Sequence, residues 1–202
     1  VHTLGLPSRM KEIIKISKKY KLLILEDCCE AHGSKIGNKK VGSFGHVSTF
    51  SFYVAHNITT GEGGMVLTNN PKIEKECKSL REFGRCDQKD INKNRFYSDK
   101  FLKDYDKRYV FTTIGFNLRM TDICAAIGIQ QLKKMDKLNN IRRQNANLLA
   151  NLILKDLSDK IDLPIFYKDY FHTFYTFPMI LKKNNSVTRK QTTNVLEKNN
   201  IE

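Results

Sequence analysis

The chain has 202 residues, 40% hydrophobic, 10% aromatic and 28% charged, the composition of a globular chain with one substantial core or a core plus a small satellite. Its 35 lysines and arginines against 21 aspartates and glutamates leave a net charge of +14, which admits a polyanionic partner without naming it. No apolar run approaches the roughly 18 residues of a membrane span, and the cysteines at 28, 29, 77, 86 and 124 form neither a paired scaffold nor a repeated C-x-x-C. These features argue against a membrane-spanning enzyme, a disulfide framework or a zinc finger, and lead us to expect a protein of the reducing cytoplasm. Val1 opens the chain and a polar helical pattern still runs at its last residues, so a piece of a longer protein is expected.

Pro7 is placed to open a helix carrying Met10, Ile13, Ile14 and Ile16 that closes near Tyr20, and KLLILED at 21–27 then reads as a fully buried strand. HVSTFSFY at 46–53 alternates, with aromatic and β-branched residues, and GMVLT at 64–68 is a second short strand after a glycine turn. Pro71 predicts a helix with Ile73, Cys77 and Leu80 on one face that stops at Gly84. Residues 85–109 are charged and aperiodic, the signature of a long surface loop. Thr121 caps a helix that starts with Asp122, carries Ile123, Ala126, Ile127, Ile129 and Leu132, and persists to about residue 156 with a break near Asp136 to Asn140. TFYTFPMIL at 173–181 reads as a strand and SVTRKQTTNVLEKN as a closing helix. The fold class expected is α/β, a mixed, mostly parallel sheet with flanking helices followed by a smaller α/β unit.

Chemistry-bearing residues gather in three places. Glu26 and Asp27 end an apolar strand, at the rim where open α/β sheets place their ligands. A carboxylate there either marks the turn or stays ionised beside a cationic ring nitrogen, as proteins keep a pyridoxal cofactor electron-poor. SFYVAHNITTGEGG at 51–64 sets hydroxyls, an imidazole and a carboxylate among glycines. It is either a glycine-rich hairpin with a surface histidine or a ligand-approaching turn. Neither G-x-x-x-x-G-K-[ST] nor G-x-G-x-x-G occurs, so ATP and dinucleotides are not indicated. Ser51 can offer a hydroxyl to a phosphate, Glu62 can orient a polar partner or lie exposed, and His56 is of the type that abstracts and returns protons near neutrality. His32 and His46 with Asp27 or Cys29 lack diagnostic ligand spacing, so no metal is expected. Asn117 and Arg119 precede a helix start, where either can meet a phosphate or a neighbouring chain, or the helix simply docks an alanine-rich face.

Together, EDCCEAHGSKIGNKKVGSFGHVSTFSFYVAHNITTGEGGMVLT at 26–68 and GFNLRMTDICAAIGIQQL at 115–132 resemble the sugar-aminotransferase family of fold-type I pyridoxal-phosphate enzymes, over about residues 1–182. The resemblance implies that residues 1–140 form the C-terminal half of the cofactor-binding large domain and residues 141–202 an incomplete small α/β domain. It implies that Ser51 binds the cofactor phosphate, Asp27 keeps the pyridine nitrogen protonated, and Asn117 reaches the cofactor phosphate of an adjoining subunit, hence a homodimer. Five residues beyond Ser51, where the family carries the lysine that holds the cofactor covalently, stands His56, and imidazole cannot make that bond.

AH before NITTGEGG is similar to the branch that removes the C3 hydroxyl of a nucleotide-linked 4-keto-6-deoxyhexose, with pyridoxamine phosphate held non-covalently. There, the resemblance implies, His56 removes a proton from the cofactor C4′ once the cofactor amine has joined the sugar ketone, and the C3 hydroxyl leaves. Part of the Lys and Arg excess would meet the nucleotide-sugar pyrophosphate. Reductase-coupled members of that branch carry a [2Fe–2S] cluster on four cysteines. Cys29 fits the first place, but Cys86 falls one position early and no further cysteine follows nearby, so the cluster is not expected and a reductase partner stays open.

Two other readings remain. An aminotransferase needs a lysine near the cofactor carbonyl, and residues 46–70 contain none, leaving Lys35, Lys39 and Lys40 to depend on folding. A non-catalytic basic module binding nucleic acid should show aromatics through a basic face, whereas the aromatics concentrate at 44–53 and 167–177.

Overall fold

In the computed structural model, which describes residues 1–87, 105–164, 167–183 and 186–201, the strand carrying the first motif lies beside the strand carrying the second. β1 (Leu25–Asp27) runs parallel to the later central strand of its sheet and is shorter than KLLILED implied. Leu22, Leu23 and Leu25 are exposed rather than buried, because among the described residues β1 has a strand on one side only. The helix before it, α1 (Met10–Tyr20), starts later than Pro7. The Ser8 N–H is taken by Nδ1 of His2 at 3.0 Å, which ties residues 7–9 to the chain start instead of to a helical turn. Lys21 ends α1 in the left-handed region with φ 53°.

After a small hairpin of β2 (Lys35–Ile36) and β3 (Lys39–Lys40), β4 (Val47–Ser51) forms the sheet centre, and β5 (Gly64–Thr68) pairs antiparallel with it from Val47↔Thr68 to Ser51↔Gly64. The first sheet is thus mixed, in the order β1-β4-β5. α2 (Pro71–Arg81) begins where the sequence placed it: the Asn70 side chain accepts the Lys72 and Ile73 N–H groups, and Pro71 occupies the first turn, where its missing N–H costs nothing.

Past α2, Phe83 and Gly84 have φ of 63° and 83°, and the chain turns so that Glu82 pairs with Asn117 and Arg85 with Phe111. A Cβ on Gly84 would collide with the Thr113 carbonyl. Gly84→Ala is therefore expected to destabilise the chain by more than about 1 kcal/mol and to loosen the segment bearing Asn117, measurable by urea unfolding and by amide exchange at 111–118. Most of the stretch read as a charged surface loop, residues 88–104, falls outside the described residues.

α3 (Asp122–Asp156) is one 35-residue helix capped by Thr121, whose hydroxyl accepts the Cys124 N–H at 3.3 Å. The break expected near Asp136 to Asn140 is not there. That stretch holds no proline or glycine, and Asn139 is 1% exposed with its side chain bound elsewhere, so tertiary contacts outweigh its modest helix propensity.

TFYTFPMIL does not form one strand. β7 (Tyr170–Phe171) pairs with β2, β8 (Ile180–Leu181) pairs with β6 (Ile161–Asp162), and between them Phe174 takes φ 48° while Thr173 and Tyr175 donate to the Gly5 and Leu4 carbonyls. Pro178 lacks the N–H a continuous ladder would need. The closing helix, α4 (Arg189–Lys198), opens with a reciprocal Thr188–Gln191 capping box.

Cys28, Ala31 and Val41 bury together under Phe50. By contrast Met65, Val66 and Leu67 of β5, and Ile114, Phe116, Leu118 and Ile123, all lie exposed. Among the described residues no helix is long and apolar enough to cross a membrane.

Candidate functional site

Because β1 and β4 are parallel, with Asp27 opposite Thr49, their C-terminal ends open on one rim. Side chains alternate along a strand, so Thr49 and Ser51 share the face that carries Asp27. With a rise of about 3.3 Å per residue and about 4.8 Å between strands, Asp27 and Ser51 stand about 8 Å apart along it.

Adjacent carboxylates on β1 take opposite roles. Glu26 points inward and is 2% exposed; its oxygens accept Nε2 of His2 at 3.0 Å and the N–H groups of Gly42, Phe44 and Gly45 at 2.8, 2.7 and 2.6 Å. Nδ1 of His2 accepts from Ser8, which assigns the proton to Nε2. Burial opposes ionisation of Glu26, but these bonds outweigh it and hold its pKa below the usual carboxylate value. Glu26, braced by His2, thereby anchors the 42–45 loop, with Cys28 buried alongside the pair. Asp27 is half-buried on the rim face. Its Oδ1 accepts the Cys29 N–H at 3.1 Å, and hydrogen bonds from the Cys29 thiol and backbone hold its pKa down, so it stays anionic. The Cys28 and Cys29 thiols are pushed up to about 12 and about 11, chiefly by burial, and stay protonated.

Ser51 ends β4, and its Oγ accepts the Tyr53 N–H at 3.2 Å, which leaves the hydroxyl proton available to a ligand. The chain then turns back: His56 donates its N–H to Tyr53 and Thr60 donates to Phe52, at 3.0 and 2.9 Å. The His56 ring lies among Tyr175, Tyr53 and His32, with ring centroids 5.7, 6.2 and 6.4 Å away. Nδ1 of His56 is buried without a hydrogen bond, and the His32 imidazole is held beside the Asn57 side chain and the Ser51 main chain. Buried polar atoms are rarely left unbonded, and Nδ1 of His56 is therefore the atom here open to a polar occupant. Burial, with His56 beside it, pushes the His32 imidazole down to about 4, so it stays neutral.

The other candidates sit apart. Glu62 is exposed, and its carbonyl accepts from the Thr60 hydroxyl at 2.7 Å. Asn117 and Arg119 are exposed on the strip before α3; Arg119 reaches Oδ1 of Asn117 at 3.4 Å and lies over the Phe83 ring at 5.6 Å. That strip meets the 60–63 turn through Met120, whose Sδ is 3.9 Å from the Thr60 hydroxyl. Among the described residues no hydrogen bond joins Glu62, Asn117 or Arg119 to Asp27, Ser51 or His56. Nδ1 of His46 accepts the Ile24 N–H at 2.9 Å. Sequence reasoning missed Asn57, Asn139 and Arg142. Arg142 donates to the Asn57 carbonyl at 3.2 Å, and Asn139 donates to the His32 carbonyl at 2.8 Å. The signal that would have found the last two is a polar pair, one turn apart, on the apolar stripe of a long helix.

A mixed sheet whose parallel strands end in a carboxylate and a hydroxyl, flanked by helices, is the architecture of part of a fold-type I pyridoxal-phosphate enzyme. The chain belongs to the DegT/DnrJ/EryC1/StrS aminotransferase family, whose model matches residues 1–202. It is 36% identical to the dTDP-4-dehydro-2,6-dideoxy-D-glucose 3-dehydratase of Saccharopolyspora spinosa over 99% of this chain and 44% of that protein. It is 35% identical to the GDP-perosamine synthase of Escherichia coli O157:H7 over 90% of this chain and 44% of that protein. The E. coli GDP-4-keto-6-deoxy-D-mannose-3-dehydratase structure with bound hydrated PLP superposes with a TM-score of 0.82 at 32% identity, covering 98% of this chain and 50% of that one. The chain thus spans about half the length of the relatives it matches.

Proposed function

We propose that this chain contributes to C3 dehydration of a nucleotide-linked 4-keto-6-deoxyhexose, with pyridoxamine phosphate as cofactor, in deoxysugar or lipopolysaccharide assembly. The observation that carries the reading is the imidazole of His56, five residues beyond Ser51, in a stretch without lysine. An imidazole exchanges protons but cannot form the Schiff base that transamination requires. The similarity to two sugar 3-dehydratases supports it.

The residues present fit the cofactor: an anionic carboxylate and a free hydroxyl proton on one face, and the buried, unbonded Nδ1 of His56 in the turn that follows. When bound, pyridoxamine phosphate would supply the amine that joins the sugar ketone and an electron-poor ring that stabilises charge at C4′. Asp27 would accept a hydrogen bond from the ring nitrogen and keep it protonated. Ser51 would donate its hydroxyl proton to the phosphate. His56 would take the C4′ proton on an imidazole nitrogen, with neutral His32 beside it adding no competing charge. Asn117, with Arg119 next to it, would serve a phosphate in the adjoining subunit of a homodimer, for which exposed Ile114, Phe116, Leu118 and Ile123 supply an apolar face. The surplus of lysine and arginine would meet the sugar-nucleotide pyrophosphate.

A second reading, transamination, is favoured by the similarity to GDP-perosamine synthase. Against it, Nζ of Lys35 lies over the Phe171 ring at 5.5 Å and Nζ of Lys39 over Phe44 at 4.5 Å, and Lys40 is exposed. Purified protein incubated with pyridoxal phosphate or pyridoxamine phosphate, reduced with borohydride and weighed intact, separates the two. We expect cofactor retained without a covalent adduct; a lysine adduct overturns dehydration in favour of transamination.

A further inference from the structure

From Met135 to Ile153, α3 lays one stripe on the body of the fold, with Met135 and Leu138 half-buried and Ala146, Ala150 and Ile153 buried. Inside that apolar stripe sit Asn139, 1% exposed, and the half-buried Arg142, one turn apart and so on the same face. Polar side chains at such positions are retained only when something buried needs them. Nδ2 of Asn139 donates to the His32 carbonyl at 2.8 Å, Nη1 of Arg142 donates to Oδ1 of Asn139 at 3.3 Å, and Nη2 donates to the Asn57 carbonyl at 3.2 Å. One guanidinium therefore bridges the helix and the main chain immediately after His56, while its neighbour grips the main chain of the histidine packed against His56. Gly33 makes room for this approach: its φ is +85°, and a Cβ there would fall 2.8 Å from Nδ2 of Asn139.

His56 depends on that support because no hydrogen bond holds its Nδ1, so its ring direction follows its neighbours and the course of the turn. Elsewhere the turn is closed by bonds within residues 52–63, which fix its shape, and the Asn57 side chain meets the His32 ring; the main chains of the two segments are joined through Asn139 and Arg142. We propose that Asn139 and Arg142 are positioning residues for His56: a strut on α3 that sets where the imidazole stands by holding the Asn57 and His32 carbonyls together. The consequence for turnover rests on the reading of His56 as the base.

The test begins on the chain without cofactor. Imidazole resonances of His56, assigned by their loss in His56→Asn, and amide exchange at 53–60 are compared in wild type, Arg142→Ala, Arg142→Lys and Asn139→Ala. We expect Arg142→Ala to shift or broaden the His56 signals and to speed exchange at 56–60 about tenfold or more, with the β4 and β5 amides unchanged. Arg142→Lys keeps the charge but replaces the planar fork, whose two nitrogens reach Asn57 and Asn139 separately, with a single flexible ammonium, so an intermediate change is expected. With cofactor and nucleotide sugar, the rate of C4′ proton exchange should fall up to about 10²-fold in Arg142→Ala while pyridoxamine phosphate affinity stays within about twofold, as for a misplaced rather than missing group. Wild-type His56 signals and 53–60 protection in a folded Arg142→Ala overturn the strut; if that variant unfolds, the same result in Arg142→Lys does so. Retained exchange activity in His56→Asn instead overturns the reading of His56 as the base and leaves the cofactor-free comparison to decide the strut.

Discussion

Replacing His56 with asparagine is expected to lower sugar-dependent exchange of the cofactor C4′ proton by about 10²–10⁴-fold, the range that a positioned general base contributes. Asparagine is close to imidazole in size and keeps polar atoms near the His32 and Asn57 side chains, so the turn from Tyr53 to Thr60, closed by main-chain bonds, should keep its shape. It cannot accept a proton at neutral pH, so only the transfer is lost. Non-covalent affinity for pyridoxamine phosphate should change little, because Asp27 and Ser51, which are proposed to hold the two ends of the cofactor, lie on the strands and not in the turn. Deuterium exchange followed by NMR or mass spectrometry reads the rate. A variant that exchanges as fast as wild type would remove the chemical basis for dehydration.

The second large effect is on stability. Glu26→Gln keeps the side-chain volume but replaces one of two accepting oxygens with a donor, in a place where four donors converge. Whichever way the amide turns, it confronts either His2 with Gly42 or Phe44 with Gly45. Leaving buried N–H groups unsatisfied costs about 1–3 kcal/mol each, so a loss of about 2–4 kcal/mol is expected in urea unfolding at pH 7. The pH dependence follows from the depressed pKa. A carboxyl ionised more readily in the folded chain than in the unfolded one contributes fully above the unfolded value of 4.5, and the contribution fades as pH falls through the lower folded value. The stability difference between wild type and Glu26→Gln should therefore be constant from pH 7 to about 5 and shrink below 4.5. A difference that widened in acid would contradict the assignment of Glu26 as an ionised anchor.

Several elements were readable because their determinants lie within a few residues of one another. Asn70 before Pro71, Thr121 before Asp122, and Thr188 with Gln191 each satisfy the first N–H groups of their own helices, and all three helices start there. GMVLT forms β5 over the residues implied by its place after a glycine turn. The stretches at 26–68 and 115–132 together led to the right family.

Errors fell where a distant segment competes. Residues 7–9 are bound by Val1 and His2 rather than by a helical turn. Asn139 looked like a helix breaker because its partner, the His32 carbonyl, is 107 residues away in sequence. TFYTFPMIL has strand composition, yet its N–H groups find carbonyls at Leu4 and Gly5.

Local chemistry in the chain thus sufficed for the starts of α2, α3 and α4, for β5, for the absence of a lysine near Ser51 and for the presence of an imidazole in its place. Which of two neighbouring carboxylates faces the rim, which histidine lies beside His56, and how a distant helix grips both turns became evident only in three dimensions. Caps and turns are satisfied over three or four residues of contiguous backbone. Burial of Glu26 and the reach of Arg142 depend on segments brought together by packing, whose sequence separation carries no periodic signal.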